Sequence, residues 1–209
     1  MKTNSTLPNS ASSRRQCGFT LLELLVVIVI ISLLFAMSTS TIGRSLEAQK
    51  LSASGARLIN ELAYAAQLAV KENRPVGMRF VQRADELDAG SILTQGWQWL
   101  APDRTTGEWK PLGEVNWLDA SVMMIENNAF STLVNLPPLA MDVDDDEDNT
   151  SPLFAFTPQG STTLIRGAGA SIWSLTLALV EDVDKAPNSL PANHRTLVIN
   201  PYTGSAVMY

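Results

Sequence analysis

The feature that most constrains this chain is a window of 20 residues without a charged side chain, residues 24–43. A transmembrane helix needs about 20 mainly apolar residues to cross roughly 30 Å of hydrocarbon. Lys2, Arg14 and Arg15 precede the window, and no acidic residue accompanies them. Because basic flanking residues remain on the cytoplasmic side, the pattern predicts a single membrane pass with a cytoplasmic N-terminus and the bulk of the chain across the membrane.

Glu23 lies immediately before this window, in the stretch "GFTLLELLVVIVII" that begins at Gly18. An ionised acid costs roughly 2.5–3.5 kcal/mol at the centre of a membrane helix and less near its end. Such residues are usually functional and paired. We therefore expect Glu23 to have a positively charged partner.

Two other interpretations of the N-terminal region compete with a retained helix. A secretory signal peptide could be cut after Ser38, where "AMS" has the small residues of a cleavage site, although the apolar run is longer than the usual h-region of about 7–15 residues. A lipoprotein signal would need an acylated cysteine after the apolar stretch, whereas Cys17 precedes it. The lipoprotein interpretation fails, and Cys17 is read as an incidental leader residue.

The segment "GFTLLEL", residues 18–24, closely resembles the processing and assembly segment of type IV pilins and of the pseudopilins of type II secretion. The resemblance implies that residues 1–18 form a leader, which prepilin peptidase removes between Gly18 and Phe19. Phe19 would then be the mature N-terminus, N-methylated as in that family, and Glu23 would be its fifth residue. The new amine of Phe19 on a neighbouring subunit would be the partner of Glu23, fixing the stagger between subunits during assembly.

Charge and composition exclude several other classes of function. Of 15 basic side chains, three precede Phe19, so residues 19–209 hold 12 basic and 21 acidic side chains, a net charge of −9. This balance disfavours nucleic-acid binding, which depends on neutralising phosphates. With one cysteine and one histidine, the chain cannot build a zinc site from clusters of these residues. His194 is expected in a loop before a strand, and we predict no enzymatic activity and no cofactor.

The remaining sequence predicts an α+β fold. Six residues recur at spacings of three and four along one face of a helix that continues from the apolar window: Leu51, Gly55, Leu58, Leu62, Ala65 and Ala69. Pro75 disfavours helix at the residue before it, so the helix is expected to end at about Arg74. Short apolar segments follow, at 76–80, 96–100, 121–126, 131–136, 153–156, 171–180 and 195–200, and we predict strands there.

The predicted organisation is therefore a long N-terminal helix, membrane-spanning in its first half, packed on a small antiparallel β-sheet head. Its parts are a leader (1–18), a transmembrane and assembly helix (19–43), an amphipathic continuation (44–74) and a β-rich head (75–209). The five tryptophans are expected in the core or on strand faces.

An acidic run at residues 142–148 is the other conspicuous feature of the head. Asp142, Asp144 and Asp146 alternate like the start of an EF-hand calcium loop, but Glu147 takes the glycine position and Leu153 the position of the closing glutamate. A solvated, self-repelling loop is the favoured reading. The alternative is a calcium site at the three aspartates.

Two later stretches narrow the resemblance. "FAFTPQGST", residues 154–162, and the closing "LVINPYTGSAVMY" are similar to segments of H-like minor pseudopilins. They are also similar to the pilin-like D proteins of the Verrucomicrobia/Chthoniobacter cassette. Gln159 and Ser205 depart from those patterns.

The resemblance implies a minor pilin or pseudopilin in the bacterial inner membrane, with a periplasmic head, assembled into a periplasmic or surface filament. Its expected partners are prepilin peptidase, other pilin subunits, the inner-membrane assembly platform and membrane lipid. The alternative is a single-pass, membrane-anchored binding domain that forms no filament.

Overall fold

The fold is described from a computed structural model covering residues 20–84, 91–139, 151–167 and 172–209, with the side chains of residues 36–44 left aside. The predicted leader, Gly18, Phe19 and the acidic run at 142–148 lie outside the described residues. The chain divides into two compact units, residues 1–43 and residues 44–209. Each unit is described by itself.

Helix α1 (Leu21–Glu72) contributes to both units and has defined ends. Asn73, the residue after the helix, adopts a left-handed backbone conformation with φ of 50° and terminates it. The Asn73 N–H donates to the Val70 carbonyl, and the Arg74 N–H donates to the Ala69 carbonyl, both at 3.3 Å. These two bonds form a Schellman motif, which satisfies the last carbonyls of a helix. The predicted end near Arg74 is confirmed.

In the first unit, α1 exposes every apolar side chain from Leu21 to Phe35. The leucine, valine and isoleucine side chains of this stretch are between 45% and 83% exposed. Among the residues that the structure describes, no helix combines the length and apolarity needed to cross a membrane.

In the second unit, the predicted apolar stripe of α1 is the buried face of the helix. Leu51, Leu58, Ala65 and Ala69 are fully inaccessible to solvent, and Leu62 nearly so. They pack in one core with residues from strands of both sheets. The polar residues between them, such as Arg57, face outward or reach across the sheet edge.

The head contains nine strands and one short helix in the described residues. In chain order they are β1 (Val76–Ala84), β2 (Ile92–Pro102), β3 (Trp109–Pro111), β4 (Asn116–Trp117), β5 (Val122–Met124), β6 (Phe154–Phe156), β7 (Trp173–Leu179), α2 (Val180–Lys185), β8 (His194–Ile199) and β9 (Ala206–Met208). Every strand pairing is antiparallel. The predicted α+β class is confirmed.

The first sheet has five strands in the order β3-β2-β1-β6, with β4 also pairing with β2. β2 is buried from Leu93 to Ala101, on both of its faces, because Trp97 and Trp99 point into the core while other segments cover the opposite face. On that covered side Gly96 lies under the ring of Trp117, where a Cβ would come within 2.8 Å of ring carbons. An antiparallel hairpin joins β2 to β3, with Gly107 in its turn at φ of 78°.

The second sheet has four strands in the order β5-β7-β8-β9. Along β7, Trp173, Leu175 and Leu177 point into the core, and Ser174 and Thr176 alternate with them on the outer face. Sequence reasoning anticipated one small sheet, so the division into two sheets is a correction. The sequence shows one apolar helix face and many short strand segments, but it does not show which strands pair with one another and so belong to the same sheet.

The strand predicted at 131–136 is wrong. This segment runs along the edge of β7 but is held mainly by side chains: Ser131 Oγ accepts from the Thr176 N–H at 2.9 Å, and Thr132 Oγ1 accepts from the Ser174 N–H at 2.8 Å. The Leu133 N–H adds one backbone bond, to the Ser174 carbonyl at 3.1 Å. Hydroxyl oxygens thus take the place of a backbone ladder, as serine and threonine side chains commonly do.

Trp97, Trp99 and Trp173 are buried, and Trp109 and Trp117 are half-buried on strands, so the prediction for the tryptophans is confirmed. The predicted strand at 171–180 is too long at its end, because the chain enters α2 at Val180.

Candidate functional site

The site begins at the first turn of α1, where Thr20 caps the helix. The Glu23 backbone N–H donates to Thr20 Oγ1 at 3.2 Å, and the Leu24 N–H donates to the Thr20 carbonyl at 3.2 Å. Threonine at the cap with glutamate three residues later is the pattern of a capping box. Sequence reasoning missed this role for Thr20, although the spacing T-x-x-E was available to reveal it.

Glu23 is the one charged residue between Leu21 and Phe35, and its side chain is exposed. It stands in the first turn, where the unpaired N–H groups of the helix create a positive potential that favours a carboxylate. The helix end therefore tolerates a negative charge at this position. The exposed carboxylate is also free to bind a cation from outside the helix.

Beyond Glu23 the helix presents a continuous apolar surface. The one polar side chain between Leu24 and Phe35, Ser32, returns its hydroxyl to the Ile28 carbonyl at 2.8 Å. Its donor is thereby satisfied within the helix itself. Such a surface suits lipid or other apolar helices, because nothing on it requires water.

The remaining predicted residues fall into two groups. Gly18, Phe19, Asp142, Asp144 and Asp146 lie outside the described residues, so the cleavage position and the weak calcium site stay predictions. Within the described ranges, no cluster of histidine, cysteine, aspartate and glutamate could hold a metal ion.

His194 is described, and it is the first residue of β8 instead of lying in the loop before it. Its Nδ1 lies 2.7 Å from the Pro191 carbonyl oxygen. The imidazole ring therefore binds the loop residue Pro191 and helps to hold the chain at the start of β8.

The structure brings together the two head segments that carried the closer resemblance. In the turn after β6, Gly160 has φ of 77°, and the Thr157 N–H donates to the Ser161 carbonyl at 2.7 Å. Thr162 follows, and its Oγ1 donates to the Pro201 carbonyl at 2.9 Å, in the turn before β9. Gly204, at φ of 67°, packs its backbone against the ring of Phe156, where a Cβ would approach to 3.0 Å.

Residues 13–39 match the family described as the prokaryotic N-terminal methylation motif. This match places the apolar start of α1, with Thr20 and Glu23, inside a recognised N-terminal processing segment. The chain carries this motif, as the predicted resemblance required.

Just over half of the chain is also similar to a secretion protein. It is 30% identical over 117 residues to type II secretion system protein H of Aeromonas hydrophila, and the alignment covers 56% of this chain. The match spans 61% of that protein's length. The resemblance to H-like type II secretion pseudopilins is thereby confirmed.

Two solved structures are similar to this chain at lower identity. One is the solution structure of E. coli GspH, with a TM-score of 0.45 and 17% identity over 78% of this chain and 89% of that one. The other is the minor pseudopilin EpsH from the type 2 secretion system of Vibrio cholerae, with a TM-score of 0.43 and 10% identity over 77% of this chain and 96% of that one.

Proposed function

We propose that this chain is a minor pseudopilin, a structural subunit of a type II secretion filament, matured by prepilin peptidase between Gly18 and Phe19. The observation that carries the proposal is the methylation motif at residues 13–39, which coincides with a capped helix start and an uninterrupted apolar surface. The similarity to protein H supports the assignment to the secretion branch.

The proposed role of the apolar surface is membrane insertion before assembly and contact with other subunits after it. Transfer of apolar area from water contributes about 25 cal/mol per Å², so the exposed side chains from Leu21 to Phe35 favour a non-aqueous neighbour. In this proposal residues 19–43 form a single membrane pass with the leader in the cytoplasm. The head lies in the periplasm, and the assembly platform extracts the subunit from the lipid.

Glu23 and Phe19 supply the proposed selectivity of assembly. Cleavage converts the Phe19 nitrogen from an amide to an amine, which is protonated at neutral pH because α-amino groups have pKa values near 7.7–8.0. The carboxylate of Glu23 on one subunit would pair with that amine on the next. A charge pair shielded from water is strong enough to set the axial position of one helix against another.

The deciding experiment is the mature N-terminus of the full chain, expressed with and without a prepilin peptidase and measured by mass spectrometry. We expect a start at N-methylated Phe19 when the peptidase is present and an uncut leader when it is absent. Gly18→Val should block the cut because the peptidase loses close approach to the backbone. Gln16→Ala, in the same leader, is the matched control and should be cut normally. A mature start at Thr39 would refute the proposal.

A further inference from the structure

Strand β9 is the outer strand of the four-stranded sheet and leaves backbone groups unpaired. The Thr196 and Tyr209 backbones exchange both hydrogen bonds, at 3.1 and 2.9 Å. Hydrogen-bonded and non-hydrogen-bonded pairs alternate along an antiparallel ladder, so Val207 also bonds to β8, opposite Val198. The N–H and C=O groups of Ala206 and Met208 therefore point away from the sheet, and no described residue hydrogen-bonds to them.

This arrangement is self-complementary about Val207. If a second β9 approaches antiparallel with Val207 opposite Val207, Ala206 of each copy faces Met208 of the other. Each such pair exchanges two hydrogen bonds, so the outward groups of both copies are all satisfied. The central valines form a non-hydrogen-bonded pair, whose side chains lie closest across a ladder.

The face beside β9 is mainly apolar and holds no described acidic side chain; one cation, Arg166, borders it, with its guanidinium carbon 5.5 Å from the centre of the Tyr202 ring. A groove of about 420 Å³ borders the strand and is lined by residues that include Ile172, Val198, Tyr202, Val207 and Tyr209. None of its described lining residues is charged, and residues 196–209 hold no charged side chain. Residues 19–209 carry a net charge of −9, so two copies repel each other over most approaches. Because the described lining of this face holds no acidic side chain, a second copy that approaches it avoids most of that repulsion.

Strand β9 also lacks the devices that usually protect an edge. Natural edge strands carry lysine, proline or a bulge that prevents pairing, and "AVM" has none of these. Its short length of three residues is the one such device that β9 has. A second β9 has an edge of the same length, so the two strands can pair over their whole length.

We propose that the head pairs with a second copy of this chain through β9, antiparallel and about a two-fold axis at Val207, joining the two four-stranded sheets. A two-fold contact closes on itself and cannot extend along a filament. The pair is thus a form of the subunit outside the filament, and its formation does not depend on cleavage at Gly18.

Disulfide trapping in the full chain tests the central contact. Val207→Cys, made in a Cys17→Ser background, places two thiols across a non-hydrogen-bonded pair with Cα atoms about 4.5 Å apart, within the range of about 4.4–6.8 Å that disulfides require. Val70→Cys is the matched control, because Val70 is 53% exposed and Val207 is 52% exposed. With oxygen and a copper catalyst, we expect several times more disulfide-linked dimer from Val207→Cys. Equal yields would overturn the proposal.

The register gives a second, independent test. Tyr209 of one copy should face Ser205 of the other, and the two Tyr209 positions should be about 14 Å apart, four residues at about 3.4 Å each. Tyr209→Cys alone should therefore form little disulfide, although Tyr209 is more exposed than Val207. Mixed with Ser205→Cys, it should form a disulfide-linked heterodimer. Efficient self-linking of Tyr209→Cys would overturn the register, and failure of either test leaves the N-terminal maturation unaffected.

Discussion

Gly55 of α1 faces Met208 of β9 so closely that a Cβ at position 55 would lie 2.6 Å from the Met208 sulfur. Beside this contact, Arg195 of β8 donates from Nη2 to Ser52 Oγ at 3.1 Å. Strands β8 and β9 of the four-stranded sheet are thus positioned against the helix by the absence of a side chain at Gly55 and by a nearby hydrogen bond. Because Gly55 lies within a regular helix, it serves to leave room for the Met208 side chain and not to permit an unusual backbone conformation.

Filling this space should destabilise the head. Gly55→Val places methyl groups where the Met208 thioether lies. Because the thioether is the end of a flexible side chain and can shift, we expect a loss near the lower end of the about 1–3 kcal/mol typical of overpacking. Met208→Ala in the same chain should recover most of the loss, measured by urea unfolding of the full chain in detergent. Ala56→Val, one residue along on an exposed face, measures the helix-propensity loss from alanine to valine, whereas the change from glycine to valine by itself favours the helix. A Gly55→Val variant at least as stable as the wild type would therefore contradict the contact.

Arg57 ties the helix to β2 and β4 through a geometry that lysine cannot reproduce. Its Nη1 donates to the Trp117 carbonyl at 2.9 Å and its Nη2 to Asn116 Oδ1 at 3.2 Å. The guanidinium carbon lies 5.3 Å from the centre of the Trp97 ring. Arg57→Lys loses the fork and should lower the free energy of unfolding by about 1–2 kcal/mol. Arg104→Lys, on the exposed β2–β3 hairpin, should change stability little. A stability of Arg57→Lys equal to that of the wild type would refute the role of the fork.

Glu23→Gln should separate processing from assembly. The substitution removes the charge but preserves the Thr20 cap, which uses the backbone N–H of residue 23. We expect normal cleavage after Gly18 and loss of incorporation into filaments, scored by mass spectrometry and by sedimentation of sheared filaments. Glu47→Gln, at the next acidic residue along the chain, should assemble normally. Normal assembly of Glu23→Gln would favour the membrane-anchored binding domain instead.

The β2–β3 hairpin should carry a pH-dependent part of the head's stability. Thr105, through its hydroxyl and backbone N–H, together with Lys110 and the Thr106 N–H, holds the pKa of Asp103 well below its ordinary value of 3.8. Since the pKa is lower in the folded chain, this contribution is complete above about pH 4 and is lost as the pH falls below it.

Asp103→Asn removes that contribution. The difference in Tm between the wild type and Asp103→Asn should be present at about pH 6 and shrink below about pH 4. The control is Glu114→Gln, an exposed acid for which no hydrogen-bond or ion-pair partner is described. A difference that is independent of pH would show that the carboxylate charge is not responsible.

The helix and its buried stripe could be predicted because they depend on local periodicity. Leu51 to Ala69 recur at helical spacing, and Pro75 limits the end, so neither inference needed the sheets. The strand segments were also found where apolar residues form short runs. The resemblance at Gly18, Phe19 and Glu23 came from a dense local motif, which the match at residues 13–39 confirms at the level of the motif.

The partition of the head into two sheets could not be predicted, because it depends on contacts far apart in the chain. Strand β1 pairs with β6 across more than 70 residues, and β5 pairs with β7 across more than 50. The segment 131–136 has the composition of a strand, yet Ser131 and Thr132 bond through their hydroxyls. A serine next to a strand can bond through its backbone or through its hydroxyl. The position of the neighbouring strand decides between the two, so the sequence of the segment itself does not reveal the outcome.

The hydrogen bonds from β7 to the Ser131 and Thr132 hydroxyls also affect how the sheet can be extended. Ser131 and Thr132 occupy the backbone donors of β7 beyond the end of β5, and Gln95 Nε2 covers the Val122 carbonyl of β5 at 3.1 Å. These side chains cover part of the edge of the sheet remote from β9. A further strand at that edge would first have to displace them, so of the two edges of this sheet β9 is the one more open to a further strand.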